Sequence, residues 1–419
     1  MEMTEPEKFL VDSLTKQIET VTLPLVKVKG AVGLSVGVVF EGEHHAYCDG
    51  HIVKGGAVVP DEWTLFEIGS ITKVFTATLL ADMHLRGEVD LDDPASKFLP
   101  STVVLQSRDG VDVTLRHLAT HRSGLPRIPS NMGFRNMRSD NPYANYTVED
   151  MYAFLSKRRL VSEPGSFYGY SNLGMGLLGH ILALASGMNF EALVVERICR
   201  PLGMYDTAIT LSDDLRDRLA PGHAKGKQVS NWDIPTLAGC GAFRSTLCDM
   251  MIFLKANMRP EDTPLQGAME LAQSIQPRED KRRRRIPWRA VMPGTFNLLP
   301  YLFLAAYAGL TFGQGQARVP IMIVVIMVVS FAVTLLLKFL TKPDIGLGWN
   351  ITSLGGGKGE ERVFWHNGAT GGYRSYMGFA EGRDVGVVLL SNSTESPDTT
   401  GRRLLDRLAL LMGEEKRGM

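Results

Sequence analysis

The chain has 419 residues, 44% hydrophobic and 21% charged, with 45 basic and 45 acidic side chains. That length suits about two or three domains, and the composition is that of a globular protein with a sizeable core. A formal net charge of zero and a pI near 7.1 exclude a global signature for nucleic acid or for an acidic partner.

Residues 6–23 alternate apolar and charged residues at helical spacing and predict a surface helix that contains Ser13. The first residues, "MEMTEPEKFLVDSLTKQIE", lack the basic start and apolar run of a secretory signal, so export by that route is not expected. "AVGLSVGVVF" (31–40) and "HHAYCDGHIV" (45–53) read as strands. "FEIGSITKVFTATLL" (66–80) then opens a helix at Ser70 that runs to about Leu85. "VTLRHLATHRSGLP" (113–126) reads as a helix stopped by Gly124 and Pro126. "TVEDMYAFLSKRRL" is a helix with Thr147 as N-cap and acidic residues in its first turn. "SNLGMGLLGHILALASG" (171–187) and "NFEALVVERICRPLGM" follow as helices. After about residue 343 strands return as "RVFWHNG", "YRSYMGFA" and "VGVVLLSNS", before a final helix, "TTGRRLLDRLALLM". Strands at both ends and helices between predict one antiparallel sheet built from the N- and C-terminal strands. The fold class expected is α+β, an α/β sandwich: that sheet flanked by helices, plus an all-helical domain and an inserted apolar hairpin. The boundaries are 25–90 with 344–412 for the α/β part, 91–280 for the helical part and 281–342 for the insertion.

The insertion is unlike the rest. "KRRRRIPWR" (281–289) precedes 28 uncharged residues, and after Arg318 come 19 more, "VPIMIVVIMVVSFAVTLLL". A spanning helix needs about 20 apolar residues. The second stretch is apolar on every side, whereas a globular helix keeps a polar face. Two spans, 296–312 and 319–337, are expected to form a membrane hairpin. Basic residues flank both its ends, so the catalytic unit is expected on the cytoplasmic side. One or two buried core helices, or a lid, is the competing reading.

The four cysteines, Cys48, Cys199, Cys240 and Cys248, make no C-x-x-C pair and no zinc spacing with histidine. They read as buried thiols, with a Cys240–Cys248 bridge left open. No metal or cofactor is implied, and His44 and His45 are placed on a strand or its turn. Nothing in the sequence speaks for an oligomeric state.

Ser70 poses the chemical question. A serine after a glycine can simply cap a helix. But Lys73 lies three residues on, on the same side of a helix, where its amine can activate a serine hydroxyl without a histidine. "SLTK" at Ser13 to Lys16 is a second match, so the motif does not choose alone. "FYGYSNLGMG" adds Tyr170, a phenol able to act as a base near a cation, and Asn172, able to hold Lys73 or a substrate amide. "YAN" at Tyr143 to Asn145 is a decoy of the same form. "WHNGATGGYRSY" (365–376) places His366 before glycines that permit close backbone approach. A tight turn is the bland reading of those glycines.

S-x-x-K, then Y-x-N about 100 residues later, then [KH]-x-G near the C-terminus resembles the penicillin-binding protein and class C β-lactamase superfamily. The flanking "TLRHLATHRSGLP", "PGSFYGYSNLGMGLLGHIL", "RICRPLGM", "AGCGAFRST" and "IGLGW" resemble it too, over roughly residues 25–275 and 344–412. Ser13 lies outside these segments and Ser70 at their centre. The resemblance implies an acyl-enzyme hydrolase with Ser70 as nucleophile, Lys73 as its activator and Tyr170 as general base. It implies that Asn172 orients Lys73 or the substrate amide, and that His366 and Gly368 line the substrate. The backbone N–H groups of Ser70 and Ala369 would form the oxyanion hole. Expected partners are a small-molecule or peptide acyl donor: an ester, an amide, a D-amino-acid peptide or a β-lactam. His366 stands where lysine is usual in β-lactamases of this kind, and 281–342 has no counterpart in soluble members. A penicillin-binding sensor acylated without turnover, and a silent scaffold of the same fold, are the alternatives.

Overall fold

The computed structural model describes residues 5–133, 140–277, 344–356 and 361–418. The chain divides into one compact unit of residues 1–278 and 345–419 and a second of residues 279–344. The hairpin expected at 296–312 and 319–337 lies outside the described residues. Among the described residues no single helix is long and apolar enough to cross a membrane.

The first unit is built on a mixed-origin antiparallel sheet. Its strands are β1 (Gly33–Phe40), β2 (Glu43–Gly50), β7 (Asp344–Ile345), β8 (Asn350–Ser353), β9 (Arg362–Ala369), β10 (Arg374–Ala380) and β11 (Val385–Ser391). They lie in the order β2-β1-β11-β10-β9-β8-β7. Two short ladders accompany it, β3 (Leu65–Glu67) with β6 (Arg244–Thr246), and β4 (His223–Ala224) with β5 (Lys227–Gln228). The expected joining of N- and C-terminal strands is the β1–β11 pairing, in register from Leu34 opposite Ser391 to Phe40 opposite Val385.

β1 and β11 are buried along their whole length because both faces of the sheet are covered. Successive side chains alternate between those faces. Leu34, Val36, Val38, Val385, Val387 and Leu389 face a cluster with Leu14, Ile18 and Leu25 of the Glu5–Lys27 helix and Leu404, Leu405 and Leu408 of the Asp398–Gly418 helix. Val39, Val388 and Leu390 face the larger core, with Met250, Met251 and Leu254 of the Leu247–Met258 helix.

The Thr72–Leu85 helix lies within that larger core, buried on almost every side. Phe75 stacks on Phe253 with ring centroids 4.0 Å apart. The Val148–Lys157 helix starts at the expected Thr147, whose hydroxyl accepts from Asp150 N–H while the Asp150 carboxylate caps in return. The Asn172–Ser186 helix ends before Gly187 as read from sequence.

Three local expectations are corrected. The 113–126 segment is helical only over Leu115–Ala119; His121 then takes a left-handed φ of 56° and turns the chain toward the site. The helix opens at Thr72 and not at Ser70, which sits inside a 3-10 turn, Gly69–Ile71; neither that turn nor the helix has a side-chain cap, so the competing cap reading of Ser70 falls. The cysteines are all free, which excludes the Cys240–Cys248 bridge, and only Cys199 and Cys240 are buried.

Candidate active site

Ser70 is placed by the strand before it. β3 pairs with β6, Ile68 N–H donates to Phe243 O at 3.1 Å, and the buried Glu67 and Arg244 meet at 3.4 Å beneath the turn. The pair is only partly satisfied, since Glu67 Oε2 and Arg244 Nε are buried without a hydrogen-bond partner among the described residues. Glu67 Oε1 also accepts from Asn231 Nδ2 and from Trp232 N–H, at 3.0 and 2.9 Å.

Above this brace three side chains converge. Lys73, fully buried, donates from Nζ to Ser70 Oγ at 2.8 Å and to Cys240 O at 2.5 Å. Tyr170 donates its phenol proton to the same Ser70 Oγ at 2.8 Å. The expected Ser70, Lys73 and Tyr170 are thus in mutual reach, although Tyr170 is 100 residues from Ser70 in sequence.

Tyr170 is aimed by its neighbours. Gly169 N–H donates to His121 O at 2.7 Å, Ser171 N–H to His121 Nδ1 at 3.2 Å, and Ser171 Oγ to Pro126 O at 2.6 Å. Asn172 N–H and Leu173 N–H both donate to Arg127 O. The segment 121–127 is therefore stitched to the start of the Asn172–Ser186 helix. The Tyr170 ring lies 4.4 Å from the His121 ring, with Lys73 Nζ and Arg127 Cζ each 4.9 Å from its centroid. Burial, with Lys73 nearby, holds His121 well below the usual imidazole range. It is neutral, accepting at Nδ1 and carrying its proton on Nε2.

Asn172 does not hold Lys73. Its Nδ2 donates to Tyr143 Oη at 3.0 Å, and its Oδ1 is buried with no protein partner. Tyr143, read as a decoy from its Y-x-N context, is a site-lining residue; burial pushes its phenol far above the usual range.

The third element is β9. Thr370 N–H donates to Tyr373 O across the turn that follows. Hydrogen-bonded and non-bonded pairs alternate in an antiparallel ladder, so Ala369 and Arg374 form a non-bonded pair. The Ala369 N–H therefore points away from β10, to the side where Gly69 lies. A Cβ on Gly69, whose φ is +50°, would sit 2.7 Å from that nitrogen. The backbones carrying Ser70 and Ala369 thus approach as closely as glycine allows. Gly368 fits equally tightly: a Cβ there would meet Ile68 O at 2.0 Å.

His366, also on β9, is buried with its ring 6.4 Å from that of Tyr170 and its Nδ1 bonded to Asn367 O at 2.7 Å. Desolvation first, and then the Lys73 charge, drive it down to about 3. At pH 7 it is neutral, so this strand brings no positive charge to the site.

Residues 19–330 and 333–411 match the sequence model of the Beta-lactamase family. The chain belongs to that family. The match takes in much of 281–342, the stretch set apart in the sequence as an insertion. Within the family, the chain is 36% identical over 230 residues to the D-alanyl-D-alanine-carboxypeptidase/endopeptidase AmpH of Escherichia coli (strain K12). That alignment covers 54% of this chain and 57% of AmpH, so the chain spans little more than half the length of this curated relative. A Beta-lactamase of Escherichia coli (strain K12) is 25% identical over 385 residues, 88% of this chain and 86% of that protein. The fold is that of a Beta-lactamase/D-alanine carboxypeptidase from Yersinia pestis solved with citrate, with a TM-score of 0.67, 22% identity, and coverage of 96% and 99% of the two chains.

For this Beta-lactamase family member, sequence reasoning missed His121, Arg127, Tyr143 and the Cys240 carbonyl. Three of these, His121, Tyr143 and Cys240, lie in segments already quoted, "HRSGLP", "YAN" and "AGCGAFRST". What was lacking was any local pattern that distinguishes them from ordinary loop residues.

Proposed function

We propose that the chain is a serine hydrolase that forms an acyl-enzyme on Ser70, with D-amino-acid peptides and β-lactams as the leading substrate classes and esters as the simplest surrogates. The observation that carries this reading is the pair of 2.8 Å hydrogen bonds that Lys73 Nζ and Tyr170 Oη make to one serine oxygen. A serine is a weak nucleophile until an adjacent group takes its proton.

In acylation the pair acts with one proton removed, the Lys73 ammonium facing the Tyr170 phenolate, and the phenolate takes the Ser70 proton as Oγ attacks the acyl carbon. The carbonyl oxygen, now negative, accepts from the N–H groups of Ser70 and Ala369. The C–N or C–O bond then breaks, and the leaving group takes its proton from Tyr170. Water then gives a proton to the Tyr170 phenolate as it attacks the ester carbonyl, and that proton passes to Ser70 Oγ as the acyl C–O bond breaks. The unpartnered Asn172 Oδ1 is suited to accept an amide N–H of the acyl donor. His121 and His366, both neutral, keep the Tyr170 pocket free of a second titrating cation.

Burst kinetics test the reading. With a chromogenic cephalosporin or a p-nitrophenyl ester, a burst of product equal to the enzyme concentration followed by steady turnover is expected. A burst with no turnover would make the protein a penicillin-binding sensor, and no burst would make it a scaffold. Membrane attachment through 296–312 and 319–337, with the catalytic unit cytoplasmic, belongs to the proposal on sequence grounds. Recovery of the intact protein in the soluble fraction without detergent would remove it.

A further inference from the structure

A site that acts on peptides or β-lactams has to recognise a carboxylate beside the scissile bond, and β9 offers only the neutral His366. The positive charge must come from elsewhere. Lys73 is enclosed and committed to Ser70 and Cys240 O. Arg244 is committed to Glu67. Arg374 donates to Thr370 O and Tyr373 O and lies in the field of Asp398 and Glu395.

Arg127 differs from all three. It is exposed, and no carboxylate pairs with it among the described residues. Its guanidinium covers the Tyr170 ring at 4.9 Å, and its main-chain oxygen is fixed by two N–H groups of the Asn172–Ser186 helix. With Cζ held over the ring and no side-chain hydrogen bond among the described residues, the guanidinium keeps N–H donors for a carboxylate. The charge is felt at His121, Tyr143 and Cys240, the groups that surround Tyr170 and Asn172.

We propose that Arg127 is the anion-recognition residue of this site, selecting acyl donors that carry a carboxylate on the leaving-group side of the scissile bond. The inference rests on the hydrolase reading. The loop cation takes over a task that the third motif, with its buried imidazole, leaves undone. Arg127 binds substrate; it takes no proton in the reaction.

The test compares an N-acylglycyl thioester of thioglycolic acid with the methyl ester of the same compound, one anionic and one neutral. Wild-type protein should prefer the acid. In Arg127→Gln the acid-to-ester ratio of kcat/KM should fall about tenfold, through KM for the acid, since an exposed charge-assisted pair is partly screened. Arg127→Lys, keeping charge but losing the fork, should fall in between. A ratio unchanged in Arg127→Gln, or an equal fall in kcat on both compounds, overturns the proposal and leaves Arg127 as packing for Tyr170. Labelling of Ser70 by a fluorophosphonate, run on every variant, reports an assembled site. Wild-type protein that is neither labelled nor active on either thioester refutes the hydrolase reading and this inference with it. Labelled protein with an unchanged ratio refutes Arg127 alone.

Discussion

Ser70→Ala is expected to abolish covalent labelling by a fluorescent penicillin or a fluorophosphonate, and Ser13→Ala to leave it intact. Both serines stand three residues before a lysine. Ser70 has that lysine and a tyrosine within hydrogen-bond reach of its oxygen, and it lies at the centre of the segments that resemble the family, where Ser13 does not. Ser13 belongs to the Glu5–Lys27 helix, whose Leu14, Ile18 and Leu25 cover the outer face of the sheet. Loss of the nucleophile of a concerted set removes turnover by a factor on the order of 10⁴ to 10⁶. Intact-protein mass spectrometry after exposure to the reagent reads the outcome directly. An adduct that persists on the Ser70→Ala protein would move the nucleophile elsewhere.

Gly368→Ala should be nearly as damaging, although it touches no reacting group. The added methyl would lie 2.0 Å from Ile68 O and 2.2 Å from Ser375 Oγ. Neither can yield freely. Ile68 N–H is bonded to Phe243 O, and Ile68 O accepts from Ser375 Oγ at 2.9 Å. The strand has to separate from the turn that holds Ser70, carrying the Ala369 N–H away from the carbonyl it would polarise. Losing one such donor costs roughly 10²- to 10³-fold in rate, and overpacking costs about 1–3 kcal/mol of stability. Stopped-flow acylation, alongside a thermal melt to show that the protein is folded, separates the two effects. A folded Gly368→Ala protein that acylates at the wild-type rate would show that this contact does not set the geometry of the site.

Much of this was legible in the sequence, for identifiable reasons. Ser70 and Lys73 are neighbours on one helical turn, so spacing alone joins them. Gly33–Phe40 and Val385–Ser391 are unbroken apolar runs, as strands covered on both faces must be, and pairing them was the simplest way to satisfy both. Tyr170 is reached through the order and spacing of the three motifs together with the text that flanks them. The errors share one cause. The helix is read from sequence as opening at Ser70 after a glycine, but the Gly69 conformation serves the approach of Ala369 and the helix begins at Thr72. Segment 113–126 looked helical because its apolar residues are periodic; the hydrogen bonds of His121 and Pro126 to residues 169–171 override that preference. Of the two roles read for Asn172, holding Lys73 or a substrate amide, the first finds no bond in the structure, because Tyr143 takes its Nδ2 across a loop. None of these partners is visible from local pattern, since each lies tens to hundreds of residues away.

The pairing of β1 with β11 carries a consequence for the order of assembly. Ser391 Oγ bonds to Gly33 O across 358 residues of chain. While the protein is being synthesised, β1 can have β2 as a neighbour, but its other edge stays open until residues 385–391 have left the ribosome. Contacts of such separation form late and slowly. Ser70, Lys73 and Tyr170 are translated well before Ala369, so a growing chain holds its nucleophile without the strand that stabilises the oxyanion. An incomplete product, released early, would keep the serine and lack the means to acylate it.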